Sequence, residues 1–429
     1  MVFQKLREEI FWGLDRIKGG IVRKQYLDIK NNLENNLDSE IYLNNLLKEV
    51  TENVPYYTKY KEKKFLSDFP IVDKIYIKNN KELFKSKKYN QEELHERHTS
   101  GSTGIPFYAY QNLNKRKRVQ AEVIYHSNVA GYNLGDRFIN YVALSKLDNY
   151  NWFNKLKQNL LVIDITKMDN ECMENIHKEL KKKKVKYMLA YASTYKKIVK
   201  YFKSKGYDKE DYGLVVAISS SEVLDNLTKL EMEEVFKCKV ISRYSNEENG
   251  VLAQTTGEDL TFKVNTASYI IEVLKLDSDE DAEIGELGRV VITDLFNYAM
   301  PFIRYDTGDL AIVSKRNKIT KKVELLKSVE GRRSDMVYNT NNVPLSTFAI
   351  GVEMDLFKKI LQYQFIQNSK LDYVLNLKGA KGNYRDEEFI KVFKKLLGED
   401  ANITINHVND MPVLNSGKFK RTICNYKPN

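Results

Sequence analysis

YMLAYAS (Tyr187–Ser193), GLVVAISSS (Gly213–Ser221) and KVISRYS (Lys239–Ser245) carry one pattern three times. Each is a short apolar run that ends in small polar residues, and a helical stretch separates each from the next. Strand, helix, strand in that order predicts an α/β sheet. In such sheets ligands collect beyond the carboxyl ends of the strands. Ser219, Ser220, Ser221 and Glu222 stand at one such end, and Tyr244, Ser245, Asn246 and Glu247 at another.

The pattern extends outward. RFINYVAL (Arg137–Leu144) and LLVIDI (Leu160–Ile165) read as strands, CMENIHKELKKKK (Cys172–Lys184) as a helix, and Lys115–Ala130 as a longer one. Residues 1–95 read mainly helical, with a break at Asn53, Val54 and Pro55. There Leu6, Ile10, Leu14, Ile17 and Ile21 form a helical stripe cut by Gly19 and Gly20. A packed stripe is the usual case, so it is expected to face its own domain, with membrane-surface contact as the other reading. Between 260 and 330, YIIEVLKL (Tyr269–Leu276) and GRVVITDL (Gly288–Leu295) flank the turn-rich DSDEDAEIGELG and predict a β-rich subdomain. The tail, with QYQFIQNS, YVLNLKG, DEEFIKVFKKLLG and ITINHV, predicts strand, helix, strand, helix, strand in a small α+β unit.

Composition excludes several classes. Hydrophobic residues are 42% and charged residues 30%, a globular balance. The net charge of +11 suits an anionic ligand, but it is dispersed, and no helix-turn-helix, zinc-finger or RNA-binding pattern accompanies it, so nucleic acid is not expected. The clusters KKKK (Lys181–Lys184) and NKRKR (Asn114–Arg118) read as solvated helix faces. Cys172, Cys238 and Cys424 are sparse and odd in number, which predicts a reducing compartment, the cytoplasm. The five histidines lack metal-ligand spacing. No run reaches the roughly 18–20 apolar residues of a membrane span, and the N-terminus has no signal-peptide pattern.

HTSGSTGIPF (His98–Phe107) has two readings. It is a turn, or a backbone that approaches an anion closely through Gly and offers hydroxyl and N–H donors. A Walker loop runs from strand into helix and ends in Gly-Lys-Ser/Thr. Here Ile105 and Pro106 follow Gly104, and FYAYQ (Phe107–Gln111) alternates like a strand, so the run joins two strands and is not a Walker loop.

Five stretches in order, TSGSTGIP (Thr99–Pro106), RYSNEENG (Arg243–Gly250), NYAMPFIRYDTGDL (Asn297–Leu310), EGRRSD (Glu330–Asp335) and PVLNSGKFKR (Pro412–Arg421), resemble the adenylate-forming enzymes. ENVPYY (Glu52–Tyr57), DFPIVDK (Asp68–Lys74), AYAS (Ala190–Ser193) and QYQFIQ (Gln362–Gln367) are similar to stretches of phenylacetate–CoA ligases and capsular polysaccharide biosynthesis proteins. The resemblance implies a large N-terminal domain, residues 1–332, of α/β sheets with the β-rich subdomain. It also implies a small mobile α+β C-terminal domain, residues 333–429. The implied chemistry activates a carboxylic acid with ATP to an acyl-adenylate, then transfers the acyl group to coenzyme A (CoA) or another nucleophile. A transfer to an amine or sugar hydroxyl, and a degenerate non-catalytic nucleotide- or acyl-binding protein, are the alternatives.

Residue roles follow from the same resemblance. Thr99, Ser100, Gly101, Ser102, Thr103 and Gly104 would wrap the β- and γ-phosphates. Ile105 stands where many relatives have lysine, a loss that Lys115 or Arg116 would make good. Glu247 matches the Mg2+ carboxylate, an oxygen donor suited to that ion. Tyr244 matches the aromatic beside adenine, and Ser221 and Glu222 the adenine-side loop. Asp309 would hold both ribose hydroxyls with its two acceptor oxygens. Arg332 matches a ribose or phosphate contact, and Lys418 the lysine at the attacking carboxylate and α-phosphate. On residue type alone Glu247 is equally a surface carboxylate, Tyr244 a core residue and Lys418 an exposed lysine. The hinge falls at Ser334 or Asp335. The Gly-Gly loop that many CoA ligases carry after the hinge is replaced by YNTNNVPLSTF (Tyr338–Phe348).

Overall fold

Asp15 sets how the chain begins in the computed structural model, which describes residues 2–35, 37, 39–99, 107–142, 151–165, 168–354, 356–357, 360, 362–379, 382, 384–411 and 419–427. Its carboxylate accepts from the backbone N–H groups of Val22 (3.2 Å) and Arg23 (2.9 Å). A side chain of α1 (Val2–Ile17) thereby caps the first turn of α2 (Ile21–Asn35). Phe11 and Trp12 consequently face inward, where they pack with Tyr26 and Tyr125. The stripe expected to be packed turns outward instead: Leu6 is 48% exposed, Ile10 51% and Ile17 83%.

After α3 (Glu40–Asn53) the chain forms the short β1 (Val72–Asp73) and α4 (Lys74–Asn79). The antiparallel pair β2 (His95–Thr99) and β3 (Phe107–Gln111) follows, with Thr99 opposite Phe107. The Ser/Thr/Gly run therefore does join two strands. Asn112 caps α5 (Leu113–Ala130) by accepting from the Lys115 N–H at 2.8 Å.

The alternation read from the sequence becomes β4 (Arg137–Val142), α6 (Trp152–Gln158), β5 (Leu160–Asp164), α7 (Asn170–Lys181), β6 (Val185–Ala190), α8 (Ala192–Ser204), β7 (Val216–Ser220), α9 (Asn226–Phe236) and β8 (Lys239–Asn246). These strands pair in parallel in the order β5-β4-β6-β7-β8. Helices α7, α8 and α9 cover one face, packing Ile198, Phe202 and Phe236 against Met188 and Val240. Ala130 of α5 packs on the other, against Tyr187, Ile218 and Ile241. Burial on both faces is why these strands read as unbroken apolar runs.

The sheet continues antiparallel through β9 (Gly250–Thr255) and β10 (Phe262–Val264) to β14 (Val323–Arg332), β13 (Tyr305–Arg316), β12 (Leu287–Asp294) and β11 (Tyr269–Leu274). A separate small unit holds β15 (Val337–Tyr338), β16 (Pro344–Leu345), α10 (Thr347–Met354), β17 (Gln362–Gln367), β18 (Asp372–Lys378), α11 (Asp386–Leu397), β19 (Asn402–Val408) and β20 (Thr422–Cys424). The architecture is the mixed α/β one expected, with a large mixed sheet and a small C-terminal sheet ordered β19-β18-β17-β20. One detail differs. No helix separates QYQFIQ from YVLNLK; a tight turn does, closed by the Asn368 N–H donating to the Asp372 carbonyl at 2.9 Å. Among the described residues no helix is long and apolar enough to cross a membrane.

Candidate active site

The carboxyl ends of β6, β7 and β8 open into a cleft of 3140 Å³ that also reaches β13, β14 and the start of β20. One edge of it is formed by the hairpin of β13 and β14. Asp306 is 5% exposed and accepts from the Gly308 N–H at 2.9 Å, while Thr307 Oγ1 accepts from the Asp309 N–H at 3.1 Å. Gly308, at φ +78°, permits that turn. The result presents Asp309 directly opposite Arg332 across the ladder. From β8, the Tyr244 hydroxyl donates to Asp309 Oδ2 at 2.7 Å. Burial, then the adjacent carboxylate, pushes the Tyr244 phenol well above its ordinary range, so it stays a donor. Three residues predicted from separate motifs thus meet at one point.

A second group lies at the ends of β7 and β8. Ser221 takes a left-handed φ of +68°, a conformation that costs a non-glycine residue free energy. Glu222 accepts from the Ser193 N–H (2.8 Å) and hydroxyl (3.1 Å), which ties the β7 end to α8. Glu247 is exposed, and its carboxylate pairs with Arg97 of β2 at 2.5 Å. Arg97 stands two residues before Thr99, the last described residue ahead of the Ser/Thr/Gly run. Ser100, Gly101, Ser102, Thr103 and Gly104 lie outside the described residues.

The third group joins the two sheets. Ser334 and Asp335 fall in a single 3-10 turn, Arg333–Asp335, immediately after β14. The Asp335 carboxylate accepts from Lys420 Nζ at 2.8 Å, and its carbonyl accepts from the Thr422 hydroxyl at 2.6 Å. The tail also touches the large sheet. The Phe419 N–H donates to Glu222 Oε1 at 3.4 Å, and Arg421 pairs with Asp225 at 3.4 Å. Lys418 lies outside the described residues, but its neighbour Phe419 borders the cleft.

Lys115 and Arg116 separate sharply. Lys115 is fully buried, pairs with Asp294 at 2.7 Å and donates to the Tyr269 hydroxyl at 3.0 Å, so it cannot reach a phosphate. The same network contains Glu122, whose carboxyl is pushed up by burial and which accepts from Tyr269 (3.0 Å) and the Val251 N–H (3.1 Å). It fixes the turn between β8 and β9 that carries Glu247. Arg116 borders the cleft instead, and burial, then the charge of Arg97, pushes its guanidinium pKa down. Of the two residues weighed for the missing lysine, only Arg116 borders the cleft.

Arg97 and Lys74 were not singled out from the sequence. Lys74 opens α4, sits 5.1 Å over the Phe107 ring and 3.8 Å from Glu248, and borders the same cleft. Its only signal in the sequence was its place in DFPIVDK. Among the described residues no cluster of three or more His, Cys, Asp or Glu can hold a metal ion. Glu247 offers one carboxylate at the cleft, and Mg2+ that arrives on a nucleotide needs only one or two, because phosphate and water fill the rest of its shell.

Solved structures share this architecture. A 2-hydroxyisobutyryl-CoA ligase in the postadenylation state, in complex with R3-HIB-AMP, superposes with a TM-score of 0.71 over 90% of this chain and 88% of that one, at 15% identity. In complex with 2-HIB-AMP and CoA in the thioesterification state, the same ligase gives 0.56 over 90% and 89%, at 16% identity. ATP-bound MatB from Rhodopseudomonas palustris gives 0.59 over 78% and 68%, at 15% identity. No curated protein sequence matches the chain. With its large mixed sheet and small C-terminal sheet, the chain shares the fold of these ligases. The more particular match is in the C-terminal unit, where residues 341–425 match the CapK C-terminal domain.

Proposed function

We propose that the protein activates a carboxylic acid with ATP, forming an acyl-adenylate and pyrophosphate, and passes the acyl group to CoA or another nucleophile. The observation that carries this reading is the convergence of Tyr244, Asp309 and Arg332 at one edge of the cleft, with the tail beside Lys418 docked on Glu222. Asp309 offers two acceptor oxygens to vicinal ribose hydroxyls, and Tyr244 orients it. Arg332 on the opposite strand supplies positive charge for a phosphate or a ribose donor. Glu247 would hold Mg2+, which neutralises phosphate charge when bound.

The acid's carboxylate oxygen attacks the α-phosphorus. An O–P bond forms, the bond to the bridging oxygen breaks, and pyrophosphate leaves with its electron pair. Positioning and charge neutralisation dominate such a step. Lys418 would place its ammonium at the developing anionic oxygen. Arg116 and Arg97, which both border the cleft, would receive pyrophosphate. The nucleophile then attacks the acyl carbon and AMP departs. The tail contacts and the higher TM-score to the postadenylation state support an arrangement suited to the first step.

Acid-dependent pyrophosphate release over a panel of carboxylic acids tests the reading; binding of ATP without release for any acid would favour a non-catalytic binder. The replacement of the Gly-Gly loop by Tyr338–Phe348 favours an amine or sugar hydroxyl as the acceptor if CoA yields no thioester. That outcome would suit a phenylacetate–CoA ligase-like protein of capsular polysaccharide biosynthesis.

A further inference from the structure

Six Lys or Arg residues are buried among the described residues: Lys115, Arg118, Lys229, Arg243, Arg289 and Arg304. Five have a carboxylate within 4 Å, supplied by Asp294, Asp28, Glu233, Asp306 and Glu272 respectively. Arg243 has none. It is 6% exposed, and neutral groups hold it: Nε donates to Gln254 Oε1 at 2.7 Å and Nη2 to Ser127 Oγ at 3.2 Å, and the Tyr187 hydroxyl is a further hydrogen-bond partner. The neighbouring His126 is buried with Nε2 unpartnered, and burial followed by the charge of Arg243 pushes its pKa down to about 3, so it stays neutral. Serine and glutamine satisfy N–H groups but not a charge. A guanidinium does not shed its proton, so Arg243 is a cation without a counter-charge among the described residues.

Its position gives that charge a use. Arg243, Ser127 and Tyr187 all border the cleft, and Phe138 and Leu189 form an apolar wall beside them. An ion pair is strengthened where water is excluded. Arg243 directly precedes Tyr244 on β8, so its side chain points to the opposite face of the sheet from the proposed nucleotide contact, on the side of α5. We propose that Arg243 receives a second anionic group of the substrate: the acid activated here carries a carboxylate or comparable anion besides the carboxylate that reacts. This inference rests on the adenylation reading for the identity of the ligand, but the anion site itself can be tested without it.

The test compares succinate, glutarate and adipate with butyrate, valerate and hexanoate, using wild type, Arg243→Gln and Arg243→Lys. In ATP–pyrophosphate exchange the diacids should exceed their matched monoacids by at least about tenfold in kcat/KM, the step expected for one charge-assisted contact. Arg243→Gln should erase that preference and Arg243→Lys keep part of it. In thermal shift without ATP, a diacid should raise the Tm of wild type but not of Arg243→Gln. Equal exchange with mono- and diacids, a preference that survives in Arg243→Gln, or equal thermal shifts in both proteins would overturn the inference. Exchange with monoacids alone would leave adenylation standing and remove the anion site. A diacid thermal shift lost in Arg243→Gln, with no exchange for any acid, would keep the site and remove adenylation. The unliganded Arg243→Gln protein should be no less stable than wild type; a large loss of Tm would mark Arg243 as a structural tie and also count against the proposal.

Discussion

The Tyr244 hydroxyl donates to Asp309 Oδ2 at 2.7 Å, linking the last parallel strand of the large sheet to a hairpin of its antiparallel part. That hydrogen bond limits where the carboxylate points. Tyr244→Phe should therefore weaken an ATP analogue by about 1–2 kcal/mol, and Asp309→Ala by about 1.5–3 kcal/mol, as for hydrogen bonds to a charged group. The double variant should cost less than the sum, because the hydroxyl acts through the carboxylate. Calorimetric titration of the three variants checks this, and strict additivity would show that the two residues act separately.

Gly250 begins β9 at φ +137°, and a Cβ there would lie 2.4 Å from Glu122 Oε2 and 2.8 Å from the Tyr269 hydroxyl. Neither group can retreat freely, since each is held by the buried network around Lys115. Gly250→Ala should lose about 2–4 kcal/mol of stability through strain and overpacking. Urea unfolding measures it, and a variant as stable as wild type would mean that the network is looser than its distances imply.

His126 gives a pH dependence with a definite sign. Its folded pKa is about 3, because burial and then the charge of Arg243 disfavour the imidazolium. The unfolded value is about 6.5. A depressed histidine contributes stability above the unfolded pKa, and that contribution is lost as pH falls from about 6.5 toward 3, at up to about 1.4 kcal/mol per pH unit. In His126→Gln this part of the acid slope should vanish. Urea unfolding of both proteins at pH 7.5, 6 and 5 should give curves that converge as pH falls; parallel curves would refute the assignment.

The fold was legible where burial is simple. Three apolar runs ending in serines became β6, β7 and β8 because both faces are covered, and the DTGD turn kept its meaning because its hydrogen bonds are local. Features set by partners distant in sequence were not legible. Arg97 meets Glu247 across 150 positions and Arg118 meets Asp28 across 90. Lys115 and Arg116 are adjacent in sequence, but a helix turns about 100° between neighbours, so one faces the core and the other the cleft. The α1 stripe failed for a related reason: Asp15, a polar residue, fixes the rotation of the helix more firmly than Leu6 and Ile10 do.

Tail docking has its own test. Asp225 caps α9 by accepting from the Thr228 N–H at 2.7 Å and also pairs with Arg421. Asp225→Asn keeps a capping oxygen and removes the charge, so the helix should survive while docking weakens by about 0.5–1 kcal/mol. Small-angle scattering should show a more extended population, and adenylate formation should slow two- to fivefold. Unchanged scattering with an unchanged rate would mean that this pair does not hold the tail.

Acyl-adenylate formation is tested most directly by following oxygen. An acid that supports pyrophosphate exchange, labelled with 18O in its carboxylate, is turned over with ATP and an acceptor, and the nucleotide product is analysed by mass spectrometry. Attack of the carboxylate on the α-phosphorus, followed by acyl transfer, leaves one labelled oxygen on AMP, and Lys418→Ala should form that product far more slowly while still binding an ATP analogue. AMP without label, or ADP and phosphate as the products, would contradict the mechanism.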